Sequence, residues 1–191
     1  MEATPPFSYP PAPEQRYTPR ARFFHWWMVA FIALAYLLIN LVELYERGTP
    51  VRRAVMQSHF LAGLCVLALA LPRLLHRLRN PPPPIVPPIA SWENVLAKLS
   101  HTLLYAFFFV QPLLGLLTVW SGGRGIGIPF TELQLPSPLV ENHDLHEQLE
   151  DIHVLVGTIF YFVIGLHVAG ALWHHFLRRD NTLRRMLPGR D

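Results

Sequence analysis

The sequence predicts an all-α membrane protein, a bundle of four transmembrane helices with both termini in the cytoplasm. Three observations carry this expectation. First, 51% of the 191 residues are hydrophobic and only 15% are charged, which leaves too little polar surface for a water-soluble domain of this size. Second, four apolar stretches cover residues 23–44, 57–75, 96–120 and 151–177. Each comes near the roughly 20 residues that a helix needs to cross a hydrocarbon core, and backbone groups in lipid must pair within their own segment, as a helix allows. Third, the basic residues gather on one side of the topology that four spans impose.

In chain order, residues 1–19 are rich in proline and polar groups. They read as a disordered cytoplasmic tail ahead of one folded unit, 20–188, and no cleavable signal peptide is expected. The second span contains the chain's one cysteine, Cys65, which can form no internal disulfide and reads as a small apolar helix residue. Between spans two and three, residues 81–88 hold a run of prolines that cannot be helical and predicts a stiff, extended connector. Between spans three and four lie a cluster of glycines, Gly122, Gly123, Gly125 and Gly127, and an acidic run. The cluster lacks the lysine of a phosphate loop and follows a membrane helix, so a flexible turn is the expectation.

The net charge is +3. The tail, the middle connector and the C-terminal segment share one side, which carries Arg16, Arg20, Arg22, Arg73, Arg77, Arg79, Lys98, Arg178, Arg179, Arg184, Arg185 and Arg190. The other side has Arg47, Arg52, Arg53 and Arg124 beside most of the acids, among them Glu132, Glu141, Asp144, Glu147, Glu150 and Asp151. The positive-inside rule puts the basic side in the cytoplasm. These arginines flank membrane spans and form no separate basic domain, so nucleic acid is not an expected partner; the lipid bilayer is.

Ten histidines in so apolar a chain need an explanation, because ionisable residues within spans are costly and point into the bundle for a reason. His153 and His167 lie 14 positions apart on the fourth span. They project from nearly one face and stand about 21 Å apart along the axis, too far to share one small metal ion. That spacing suits two porphyrins stacked across one bilayer. Each histidine then needs a partner at its own depth. His59 lies near the periplasmic entry of span two, level with His153; His25 lies near the cytoplasmic start of span one, level with His167. Two imidazoles per iron make two heme b sites suited to carrying single electrons. His101 opens span three on the cytoplasmic side and competes with His25 for the inner iron. Gly63 and Gly157, each four residues past a proposed ligand, either make room for a porphyrin or serve helix packing. Arg52 precedes His59 by seven positions on the same face, placed for a heme propionate or for the interface. His174 follows His167 by two turns, where it could protonate a reduced acceptor. His76, His143, His146 and His175 read as interfacial or loop residues.

The chain also resembles the bacterial cytochrome b561 family, in particular its small four-helix members that include superoxide oxidase. The likeness covers about 20–188 and rests on Phe24-His25-Trp26, on Arg73-Leu74-Leu75 and on the connector from Pro82 to Pro87. It rests most on Tyr161-Phe162-Val163-Ile164-Gly165-Leu166-His167-Val168-Ala169, on His174-His175, and on Asp180-Asn181-Thr182-Leu183-Arg184-Arg185-Met186-Leu187-Pro188. The resemblance implies a di-heme cytochrome b of the bacterial inner membrane, ligated at the positions of His25, His59, His153 and His167. It further implies an oxidoreductase that takes electrons from superoxide on the periplasmic side and reduces ubiquinone on the inner side, with His174 at a position that would serve the quinone. Arg52 and Arg53 could guide an anionic substrate. The alternative is an electron-transfer subunit linking a periplasmic protein donor to the quinone pool, and the acidic run 141–151 fits docking to a basic partner.

Overall fold

The structure, a computed structural model, describes residues 16–188. Residues 1–15 of the expected tail and Arg190 lie outside the described residues. Four long helices dominate: α1 (Pro19–Val42), α2 (Pro50–Arg79), α3 (Ser91–Ser121) and α4 (His143–Trp173). All four are long and apolar enough to cross a membrane. Their most apolar stretches are only 11–22% buried within the bundle, so the remaining apolar surface belongs against lipid.

Helix starts follow local chemistry that hydropathy does not see. Thr18 and Thr49 accept the N–H groups of Ala21 and Arg52 at 3.2 and 3.3 Å, and a proline follows each at the first helical position. Asn142 accepts from Leu145 N–H at 3.0 Å. As a result α2 begins at Pro50 and α4 at His143, well before the apolar stretches that start at 57 and 151. The acidic run therefore becomes the first turns of α4, with His143–Glu147 and His146–Glu150 paired at 3.2 and 3.3 Å. The glycine-rich turn also carries order: β1 (Ile126–Gly127) pairs antiparallel with β2 (Gln134–Leu135).

Helix α1 packs on α2 and α3 on α4, and α2 against α3 joins the two hairpins. A small core of Met28, Val66, Ala70, Leu104, Phe108 and Phe160 lies between them. The connector after α2 is extended, as its prolines require. A short C-terminal segment clasps it. Val86 N–H donates to Asn181 Oδ1 at 2.9 Å and Asn181 N–H returns to Val86 O at 3.1 Å, while the Arg185 guanidinium reaches Pro83 O. The same segment meets the start of α1 through Tyr17 N–H to Arg185 O at 3.1 Å and Trp26 Nε1–H to Met186 O at 2.9 Å. Both ends of the described chain therefore lie at one end of the bundle, called the inner end below.

Candidate functional site

Five histidines on four helices gather into two groups. Toward the outer end, the rings of His59 (α2) and His153 (α4) have centroids 6.4 Å apart. Toward the inner end, His25 (α1) and His167 (α4) stand at 6.5 Å, and His101 (α3) lies 5.4 Å from His167. Two imidazoles on opposite sides of one metal ion, with bonds of about 2.0–2.1 Å, have centroids about 6.3–6.5 Å apart. The first two spacings match that requirement and the third falls short of it. Among the described residues no three His, Cys, Asp or Glu side chains converge on one point as ligands of a free ion.

The outer pair is prepared in three ways. His59 Nδ1–H donates to Ala35 O on α1 at 2.8 Å, which leaves Nε2 as the free lone pair and fixes the ring. The Nδ1 of His153 is buried with no partner, a state that a buried polar atom keeps only at some cost. Two cavities, about 250 and 40 Å³, both have His59, Gly63, Pro112 and His153 in their walls. Open volume thus flanks the axis between the two rings, as a flat macrocycle threaded by that axis needs.

The glycines divide between the two expectations held for them. A Cβ added at Gly63 would meet nothing within 4 Å, so this residue borders open space. A Cβ at Gly157 would come 2.9 Å from Gln111 Nε2, so this residue serves close packing of α4 on α3. Gly115, which sequence reasoning passed over, is tighter still: its Cβ would stand 2.9 Å from His153 Cε1. Gln111 was also missed. Its Nε2–H donates to His153 O at 3.0 Å while its Oε1 is buried without a partner. An amide in an otherwise apolar run of span three was the available signal.

At the inner end Arg73 Nη2 lies 3.2 Å from His25 Nδ1, and its guanidinium stands over the Tyr105 ring at 5.8 Å. An arginine this close to the ring of a candidate ligand, with Nε buried and unpaired, can hold an anionic group there. His174 begins a π turn (His174–Arg178) that ends α4, and its Nδ1–H donates to Asp180 Oδ2 at 2.5 Å. His76 meets Thr18 Oγ1 at 2.7 Å.

The two arginines weighed as an anion approach differ. Arg52 donates from Nη1 to Val42 O at 2.7 Å and Tyr45 O at 2.9 Å, and from Nη2 to Glu43 at 3.2 Å, so it is committed to the last carbonyl of α1 and the turn that follows it. Arg53 is exposed. Neither approaches His174, which lies at the opposite end.

The chain is similar to known proteins over nearly its whole length. A profile described as prokaryotic cytochrome b561 matches residues 16–189. "Cytochrome b561 homolog 1" of Escherichia coli (strain K12) is 32% identical over 176 residues, 92% of this chain and 98% of the relative. "Probable superoxide oxidase CybB" of Yersinia pestis is 35% identical over 165 residues, 86% of this chain and 91% of the relative. "Cytochrome b561 homolog 2" of Escherichia coli (strain K12) is 26% identical over 131 residues, 69% of each chain.

Proposed function

The chain belongs to the prokaryotic cytochrome b561 family and is accordingly a bacterial membrane cytochrome with b-type heme and an electron-transfer role, and from that premise we propose that it is a di-heme superoxide:ubiquinone oxidoreductase of the inner membrane. The observation that carries the di-heme reading is the pair of centroid spacings, 6.4 Å for His59–His153 and 6.5 Å for His25–His167. His59 and His153 hold the outer heme, and His25 and His167 hold the inner one. Bis-histidine heme b supplies reversible one-electron chemistry without an open iron position. His101, too near His167 to share an iron with it, lines the inner site. Both termini face the cytoplasm on this reading, because the arginine-rich end is the inner end.

The overall balance is simple. Two superoxide anions each give up one electron and leave as dioxygen, and one ubiquinone takes both electrons with two protons to become ubiquinol. Superoxide as donor is supported by the Yersinia pestis relative, named a probable superoxide oxidase. The chain's own residues supply the rest. Arg53, exposed near the outer end, draws the anion in, and His174 at the inner end delivers a proton to the quinone.

The test is a stopped-flow superoxide pulse on purified, heme-loaded protein, with heme spectra and a water-soluble ubiquinone analogue followed in the same cuvette. Rapid heme reduction followed by quinol formation is the expected outcome. Intact b-heme bands that superoxide leaves oxidised would refute the donor.

A second reading keeps the hemes and changes the donor to a basic periplasmic protein. It draws on the outer loop, where Phe130 is 86% exposed and Val140 90% exposed beside the exposed acids Glu132, Glu141, Asp144 and Glu147. Copurification of such a donor under mild detergent, lost in a Phe130→Ser variant, is the result that would favour it.

A further inference from the structure

We propose that Asp180 is the positioning residue for His174: it fixes the imidazole with Nδ1–H toward its own carboxylate, so that Nε2 is the atom that hands a proton to the reduced quinone. The proposal rests on the quinone-reducing reading above and names how the inner end performs the proton half of it.

The geometry comes from a break in α4. Helix α4 widens into a π turn at His174–Arg178, and such turns recur where a helix is bent to a task. Arg179 then takes the left-handed conformation at φ 56°, which a residue with a Cβ adopts only at a cost of about 1 kcal/mol or more. The reversal brings Asp180 back under the turn it has just left, with Asp180 N–H on His174 O at 3.2 Å. Its Oδ2 stands 2.5 Å from His174 Nδ1, and its Oδ1 accepts Thr182 N–H at 2.8 Å. Asp180 is 2% exposed, and the next residue, Asn181, is tied to Val86 on the connector. Thr182 N–H thus holds the carboxylate, while the backbone of Asp180 and its neighbour Asn181 is tied to His174 O and Val86, so the ring follows the carboxylate.

The carboxylate is charged at neutral pH. Burial works against the anion, but hydrogen bonds from Thr182 and His174 outweigh it and hold Asp180 below the ordinary carboxylate range. Asp180 acts on Arg185 of the C-terminal segment, which also feels Tyr17 before α1 and Arg77 on α2. Arg178 of the same π turn is paired with Glu93 on α3 at 3.2 Å. A carboxylate fixed at Nδ1 makes that nitrogen the donor to Asp180 and leaves Nε2 as the atom that exchanges a proton with the substrate, the logic of a histidine–aspartate couple. When the quinone takes up an electron, its carbonyl oxygen forms an O–H bond as the Nε2–H bond of His174 breaks. The neutral imidazole then regains a proton from water at the inner face. One proton moves per electron, and nothing but the quinone is reduced.

The experiment uses heme-loaded full-length protein, reduced with dithionite, desalted without oxygen and mixed with a water-soluble ubiquinone analogue between about pH 5.5 and 8.5. Loss of the reduced heme band is the readout, so the assay does not depend on superoxide. In wild type, oxidation is expected to slow as pH rises, because each electron taken up by the quinone carries a proton with it. Asp180→Asn keeps the acceptor for Thr182 N–H but removes the anion. It is expected to keep the heme spectrum, to lower the rate about tenfold or more at the alkaline end, and to move the fall in rate to lower pH. His174→Asn is expected to abolish the pH dependence, and adding Asp180→Asn to it should cost nothing further. An Asp180→Asn protein with wild-type rates, or one slowed equally at every pH with its midpoint unmoved, overturns the proposal by leaving Asp180 a purely structural cap. If Asp180→Asn does not assemble with heme, the His174→Asn profile decides, and a wild-type pH dependence there overturns it. A wild type that the quinone cannot oxidise at all sinks the parent reading instead.

Discussion

His59 on α2 is locked by α1: its Nδ1–H donates to Ala35 O at 2.8 Å, and the rest of the ring faces His153 at a centroid distance of 6.4 Å. A backbone carbonyl that fixes the tautomer raises the basicity of the opposite nitrogen. The outer and inner pairs share no residue. His59→Ala is therefore expected to lower heme per protein by about half while sparing the inner heme signal. Full occupancy of both hemes in the purified variant, counted by pyridine hemochrome, would break the pairing.

The inner end tests the spacing argument within one cluster. His25 and His101 both face His167, at 6.5 and 5.4 Å, and only the first leaves room for an iron between rings. We expect His25→Ala to lose the inner heme and His101→Leu to retain it, with at most a shift in its potential. The reverse result would exchange the two residues.

How far the sequence could be read depended on which interaction set each feature. The four spans were legible because lipid demands long apolar helices whatever their neighbours do. His153 and His167 were legible because one helix carries both, so helical geometry alone fixes their facing and separation. His25 and His59 followed from depth. The rotation of α3 was not legible, since a span that is apolar on every side shows no stripe to mark its inner face. Gly115 and Gln111 were therefore missed although both touch His153. The Asp180–His174 bond was hidden for another reason, as it needs a π turn and a left-handed Arg179 that no pattern in the residues announces. From sequence, Arg52 suits a heme propionate, the interface or an anion's approach; the structure commits it to carbonyls ten and seven positions back, a contact that needs the turn after α1 and so leaves no mark in the spacing.

The glycines give a contrast between fold and cofactor. Gly63→Ala adds a methyl where nothing lies within 4 Å and replaces a poor helix former, so the unloaded fold should be as stable or slightly more so. Its heme content should nevertheless fall, because the methyl enters the volume beside the His59–His153 axis. Gly115→Ala drives a Cβ to 2.9 Å from His153 Cε1 and should cost about 1–3 kcal/mol through overpacking. Thermal unfolding with and without added hemin separates the two effects; equal behaviour of the two variants would contradict the assignment of Gly63 to open space.

Arg52 and Arg53 are adjacent in sequence and predicted to fail differently. Arg52→Gln leaves the carbonyls of Val42 and Tyr45 without their donor, a loss of about 1–3 kcal/mol that appears as a lower Tm. Arg53→Gln touches no such contact and should leave Tm unchanged. It should slow heme reduction by superoxide about twofold at low ionic strength and flatten the salt dependence. A stability loss in Arg53→Gln, or a salt-dependent rate loss in Arg52→Gln alone, would interchange the roles.

Asp180 should also mark the acid limit of the inner face. Its carboxyl is held below the ordinary value of 3.8 by the hydrogen bonds of Thr182 and His174, despite burial that works the other way. A depressed folded-state value means that the unfolded chain binds the proton more tightly. The stabilising contribution is then fully present above the unfolded value and is lost as pH falls through the folded one. Wild-type protein in detergent should accordingly lose Tm below about pH 4, as the turn that Asp180 fixes, and with it the Asn181 bonds to Val86, loosens. Asp180→Asn removes the titrating group, so it should start from a lower Tm at neutral pH and lose less of it on acidification. Acid-unfolding curves that run parallel for the two proteins would show that the carboxylate contributes nothing to holding the C-terminal segment against the connector.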